Sequence, residues 1–160
     1  KERIGAAIDP EDRKARVWEL AGDEEAAPRV LAGHRDEVKT VAFSPDGSRL
    51  ATAGLDHDVR LWDLKSGDSV PLRWHANNVS AVAFTPDGKT LASASWDRTV
   101  ALFSVGEVED RTLRGHQDWI TALAVSPDGH WLASAGNDKS LRLWQLSTGA
   151  GRTFVGTRIG

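Results

Sequence analysis

A single offset of 41 residues organises this chain. His34, His75 and His116 are separated by it, as are Leu50, Leu91 and Leu132, and Asp56, Asp97 and Asp138. The tetrapeptides Ser44-Pro45-Asp46-Gly47, Thr85-Pro86-Asp87-Gly88 and Ser126-Pro127-Asp128-Gly129 keep the same phase, and so do Trp62, Phe103 and Trp144. A period of this length means one supersecondary unit used repeatedly, with neighbours burying each other's apolar faces.

Within a unit the residues read as four short strands. Val38 to Phe43 alternates with period 2, as a half-buried strand does. Ser44-Pro45-Asp46-Gly47 places Pro second and Gly fourth, which is turn chemistry. Leu50 to Ala53 and Val59 to Leu64 supply a second and a third strand, joined by a turn at Leu55 to Asp58. Ser69 to Leu72 is a weaker fourth strand, and Pro71 suits an outer edge because it donates no ladder hydrogen bond. No segment carries a 3.6-residue apolar period long enough for a helix. The fold class is all-β.

Composition narrows the function classes. Hydrophobic residues at 40% and charged residues at 27% exclude wholesale disorder. With 20 Lys+Arg against 23 Asp+Glu there is no phosphate-neutralising surplus, so no nucleic-acid partner is expected. The absence of cysteine excludes disulfides, thiolate metal sites and a Cys nucleophile. No apolar run approaches the ~20 residues of a membrane span and no signal-like segment opens the chain, so the expectation is no membrane contact and a cytoplasmic location. The chain holds seven Trp, four Phe and no Tyr, which the repeat must accommodate.

Gly33-His34, Ser44 to Gly47, Asp56 and Trp62-Asp63, followed by Gly115-His116, Ser126 to Gly129, Asp138 and Trp144-Gln145, resemble the WD-repeat β-propeller family. The match covers residues 13 to 156 in several motifs held in register. It implies blades at 32–72, 73–113 and 114–156, a partial blade at 1–31, and the start of another at 157–160. In the partial blade Trp18 and Asp12 hold the third-strand and turn positions, while Ala6 stands where Thr52 does. The expected architecture is an arc of about three and three-quarter blades belonging to a larger ring, completed by more chain or by a second copy.

His34, Thr52 and Asp56, or His116, Ser134 and Asp138, have the composition of a nucleophilic triad. A nucleophile, however, needs one activated site with an oxyanion hole, not the same set in every repeat. The resemblance implies a structural hydrogen-bonded network instead: Trp62, Thr52, His34 and Asp56; Ser93, His75 and Asp97 with Phe103; and Trp144, Ser134, His116 and Asp138. The second unit departs from the pattern. Phe103 deprives Ser93 of an indole donor and Trp74 replaces the glycine before His75, which reads as divergence in a degenerate repeat. On that reading Phe103→Trp adds about 0.5–1.5 kcal/mol. His57 reads as a solvated turn residue without metal-ligand company, and no cofactor or metal is expected. Asp23-Glu24-Glu25 lies in a connection longer than its counterparts and reads as a solvated loop. Trp131 is expected on the opposite rim, packed against a neighbouring blade.

The resemblance implies a non-catalytic protein-interaction scaffold whose partner, a protein or peptide, docks at the mouth of the central channel. A sensory or regulatory module of a larger bacterial signalling protein is the alternative, and a propeller enzyme or small-ligand binder is a third. Offsets from each His and Asp carry the docking face onto Glu37, Lys39 and Leu55; Asn78, Ser80 and Trp96; and Trp119, Thr121 and Asn137. Trp96 and Trp119 are the leading candidates, since buried Trp dominates protein interfaces. Asp36, Glu37 and Asp58 favour a basic partner segment.

Overall fold

Period-2 alternation and Ser/Thr-Pro-Asp-Gly turns fold each repeat into an antiparallel meander. The structure is a computed structural model that describes residues 3–9, 11–20, 27–105 and 110–156. The acidic run Asp23-Glu24-Glu25 and the segment 157–160 lie outside the described residues. The first sheet holds β1 (Arg3–Asp9), β2 (Lys14–Leu20) and β3 (Arg29–Leu31). The second holds β4 (Val38–Phe43), β5 (Arg49–Gly54), β6 (Val59–Asp63) and β7 (Ser69–Leu72). The third holds β8 (Val79–Phe84), β9 (Thr90–Ser95), β10 (Thr99–Ser104) and β11 (Arg111–Arg114). The fourth holds β12 (Ile120–Val125), β13 (Trp131–Gly136), β14 (Ser140–Gln145) and β15 (Gly151–Val155). All pairings are antiparallel between sequential neighbours, and the described residues contain no helix.

The turn between the first two strands of a sheet is fixed by its own side chains. Gly47 N–H donates to Ser44 C=O at 2.9 Å, while Ser44 Oγ donates to Asp46 Oδ1 at 2.6 Å. Gly47 takes φ 73°, a left-handed value that a Cβ would oppose. The hydroxyl of Ser44, the N–H of Ser48 and its hydroxyl hold the Asp46 carboxyl down to about 2.

Sheets stack because alternate residues point to opposite neighbours. Leu50 and Trp62 turn toward the first sheet, where they pack with Ala15, Val17 and Leu31. Ala51 and Ala53 turn the other way, onto Val79, Val82, Leu91, Ala101 and Phe103. The next interface repeats this with Ala92, Ala94, Val100 and Leu102 against Ile120, Leu132 and Trp144. Alanines on one side and Leu plus an aromatic on the other let the sheets approach and interdigitate. β4, β8 and β12 run side by side at the inner edge, and β1 lies against β4 as β5 lies against β8. The first sheet therefore consists of second-, third- and fourth-strand equivalents among the described residues.

The packing expected for Trp131 is not seen. Leu132 faces the third sheet, so Trp131 lies on the opposite face of the fourth, where no described sheet covers it, and it is 38% exposed. Leu141 and Phe154, opposite one another across β14 and β15, share that exposed face.

Candidate functional site

Two sets of residues distinguish the ends of this arc. The end opposite the Ser/Thr-Pro-Asp-Gly turns gathers His34, His75 and His116 with the β5–β6, β9–β10 and β13–β14 hairpins. In the second sheet His34 Nδ1 lies 2.9 Å from Asp56 Oδ2, and Nε2 lies 2.7 Å from Thr52 Oγ1. Trp62 Nε1–H donates to the same hydroxyl at 2.8 Å. An ionised Asp only accepts, so Nδ1 carries the proton facing it, and the Thr52 hydroxyl, accepting from the indole, donates to Nε2. The fourth sheet repeats the chain: His116 to Asp138 at 2.9 Å, His116 to Ser134 at 2.8 Å, and Trp144 to Ser134 at 2.9 Å. In the third sheet His75 meets Asp97 at 2.8 Å and Ser93 at 2.7 Å, and Phe103 offers no donor.

Each Asp also ties down its own loops. Asp56 accepts from Arg35 N–H and Asp58 N–H; Asp97 from Ala76 and Thr99; Asp138 from Gln117 and Ser140. Burial works to raise the Asp56 carboxyl, but His34 and these backbone donors outweigh it and hold it at about 2. Asp97 and Asp138 are held lower still: burial again opposes, and the Thr99 and Ser140 hydroxyls add to the histidine and backbone donors. Thr52, Ser93 and Ser134 are no more than 1% exposed, so these hydroxyls are closed to any substrate. The geometry joins loop, hairpin and core.

The positions flanking this network form the outer surface of the same end. Leu55, Trp96 and Asn137 each donate their backbone N–H to the C=O of Glu37, Asn78 and Trp119 at 2.8–2.9 Å. Those bonds fix hairpin tip against entering loop in every sheet. Trp119 of the fourth sheet then stacks on Trp96 of the third, with centroids 4.1 Å apart and planes 2° from parallel. Trp96 is half-buried and Trp119 is 41% exposed. Leu55, Glu37 and Lys39 belong to the second sheet, where Lys39 Nζ pairs with Glu37 at 2.5 Å.

Lys39, Ser80 and Thr121 sit where β4, β8 and β12 slip register against their neighbours. A bulge releases one residue from the ladder and re-aims its side chain. The Ser80 hydroxyl is committed internally, between Ala94 C=O at 3.1 Å and Ile120 C=O at 2.6 Å, so it clamps the third sheet to the fourth. Thr121 Oγ1 reaches Ala135 C=O at 3.4 Å. Charge at this end is unbalanced. Its loops on the three four-stranded sheets carry Asp36, Glu37, Asp56, Asp58, Asp97, Asp118 and Asp138 against Arg35, Lys39, Arg73, Arg98 and Lys139, and Arg73 lies 3.9 Å from Asp58.

The second unit's departures fit one another. Arg60 lies over the Trp62 ring at 6.0 Å and Arg142 over Trp144 at 5.6 Å. A Cβ on Gly33 would meet Arg60 at 2.9 Å, and one on Gly115 would meet Arg142 at 2.2 Å. Glycine is thus required where an arginine fills the corner. In the third sheet Ala101 removes the arginine, Trp74 takes the glycine position, and its ring packs edge-on to Phe103 at 5.9 Å and 88°. Trp74 Nε1–H donates to Thr112 Oγ1 at 2.6 Å. The signal was present in the sequence as three positions changing together at one period.

Sequential four-stranded meanders, packed face to face around an inner strand and carrying a Trp–Ser/Thr–His–Asp network, define a segment of a WD-repeat β-propeller. The family model "WD domain, G-beta repeat" matches residues 27–63, 69–104 and 108–145, more than half of the chain, and the chain belongs to that family. It is similar to Protein groucho of Drosophila melanogaster, 46% identical over 56 residues, covering 35% of this chain and 7% of that protein. It is also similar to WD repeat-containing protein 90 of Mus musculus (41% over 54 residues, 34% of this chain and 3% of that protein). A third likeness is to Ribosome assembly protein 4 of Chaetomium thermophilum (35% over 66 residues, 41% of this chain and 12% of that protein). The matched stretches span a small part of these relatives' length.

Proposed function

We propose that this segment is a non-catalytic protein-interaction scaffold that docks a protein or peptide partner on its His–Asp end. The observation carrying the reading is the Trp96–Trp119 stack, formed by two positions that vary from repeat to repeat beside a His–Asp pair that recurs in all three four-stranded sheets. The equivalent residues are Leu55 and Asn137 for Trp96, and Glu37 and Asn78 for Trp119. A side chain needed for packing recurs in each sheet, as Leu50, Leu91 and Leu132 do. The surplus of carboxylates at this end supports a basic partner segment. The burial of the hydroxyl and imidazole in every Ser/Thr–His–Asp set supports the absence of catalysis.

Photo-crosslinking tests this. A benzophenone amino acid placed at Asn137, at the His–Asp end, is expected to capture partner protein. The same group at His130, at the opposite end, is expected to capture little. Equal capture from both sites, or capture from His130 alone, contradicts the docking face.

A further inference from the structure

We propose that the Trp96–Trp119 stack is a seat for a guanidinium: the partner presents an arginine whose planar cation lies on the open face of Trp119, beside the carboxylate of Asp118. The inference rests on the docking reading above and adds what the surface recognises. Parallel stacking closes one face of each ring, so the exposure of Trp119 falls on its other face and its edges. The face of an indole is the negative pole of its quadrupole and attracts a cation. This protein uses that contact twice inside its sheets, Arg60 on Trp62 and Arg142 on Trp144.

At the stack no resident cation plays the part. Those two arginines are the only cations over a ring among the described residues, and Arg98, on the turn that follows Trp96, is not over either indole. Asp118 supplies counter-charge. It is exposed, one of its oxygens accepts the Trp119 N–H at 2.8 Å, and no described cation forms an ion pair with it. Glu37 and Asp58, by contrast, are already paired, with Lys39 and Arg35. Arginine fits better than lysine because its flat, weakly hydrated guanidinium stacks on an aromatic face and still offers N–H groups at its edge to a carboxylate. A nucleobase would find the same flat ring, but its phosphates would meet the surplus of carboxylates.

The test is fluorescence anisotropy with the full chain and labelled Gly/Ser decapeptides carrying three arginines, three lysines or three citrullines, alongside a labelled dT12 strand. Citrulline keeps the planar shape and loses the charge. The arginine peptide is expected to bind about three- to thirtyfold more tightly than the citrulline peptide, the range a cation–π contact spans. Trp119→Ala is expected to erase that preference and Trp119→Phe to retain most of it. Asp118→Asn is expected to weaken the arginine peptide severalfold and flatten its salt dependence. Citrulline binding as tightly as arginine, with both lost in Trp119→Ala, overturns the cation seat and leaves the docking face standing. Arginine-peptide binding indifferent to both Trp119→Ala and Asp118→Asn overturns the seat, as does tighter binding of dT12. A docking reading that is itself wrong shows separately, in the distribution of crosslinks.

Discussion

Lys139 holds a left-handed φ of 61°, and Arg13, His57 and Arg98 hold the equivalent place after Asp12, Asp56 and Asp97 at 60°, 67° and 73°. The Asp side chain binds the N–H two residues on and forces the intervening residue into a region costing a non-glycine about 1–2 kcal/mol. Lys139→Gly is expected to stabilise by about 0.5–1 kcal/mol, the relief less the added freedom of the unfolded chain, read from urea midpoints. The corner around Phe103 reverses a sequence-based expectation. An indole at 103 must displace Trp74, so Phe103→Trp alone is expected to cost about 1–3 kcal/mol by overpacking instead of adding stability. Combining it with Trp74→Gly and Ala101→Arg is expected to recover most of that loss, a coupling measurable by mutant cycle. The sequence shows each substitution but not their contact, because the three positions lie on different segments that only the folded sheet brings together.

At the scale of strand and loop, the network is what stitches an entering segment to a hairpin. His116→Ala leaves Ser134 and Asp138 without their common partner in a buried place, while Trp144 keeps its bond to Ser134, and is expected to cost about 2–4 kcal/mol. The same bonds set the response to acid. Asp56 ionises at about 2 in the fold against an ordinary 3.8, so its contribution is complete above about pH 4 and is lost as pH falls toward 2; Asp97 and Asp138 act in the same sense. Stability plotted against pH is therefore expected to decline below about pH 4, with a smaller decline in Asp138→Asn. An equal slope in both proteins contradicts the assignment. Strand boundaries and turns were legible in the sequence because period 2 and Ser/Thr-Pro-Asp-Gly act locally. The bulges at Lys39, Ser80 and Thr121 were not, since register slip depends on the partner strand; hence Ser80, whose offset predicts a docking-face residue, clamps two sheets through its hydroxyl.

Across the whole molecule a recurring frame, altered only at the Trp74–Ala101–Phe103 corner among the described four-stranded sheets, carries a variable surface. The frame was legible from repetition alone, whereas the stacking of Trp96 on Trp119 needed the spacing between sheets. The exposed face formed by Trp131, Leu141 and Phe154 bears on how the isolated chain behaves. Contiguous apolar area of this kind drives association, so sedimentation is expected to show a mass that rises with concentration above 17.3 kDa, and Phe154→Glu with Leu141→Glu is expected to suppress the rise. A wild-type chain that stays monomeric throughout contradicts this. The division between frame and surface is tested most directly by one paired measurement on Trp96→Ala with Trp119→Ala: unfolding free energy and partner affinity in the same variant. Loss of a half-buried stack at the surface predicts a stability change of no more than about 1–2 kcal/mol and a loss of affinity of about 2 kcal/mol or more. Destabilisation by several kcal/mol, or unchanged affinity, would show that the two tryptophans belong to the frame.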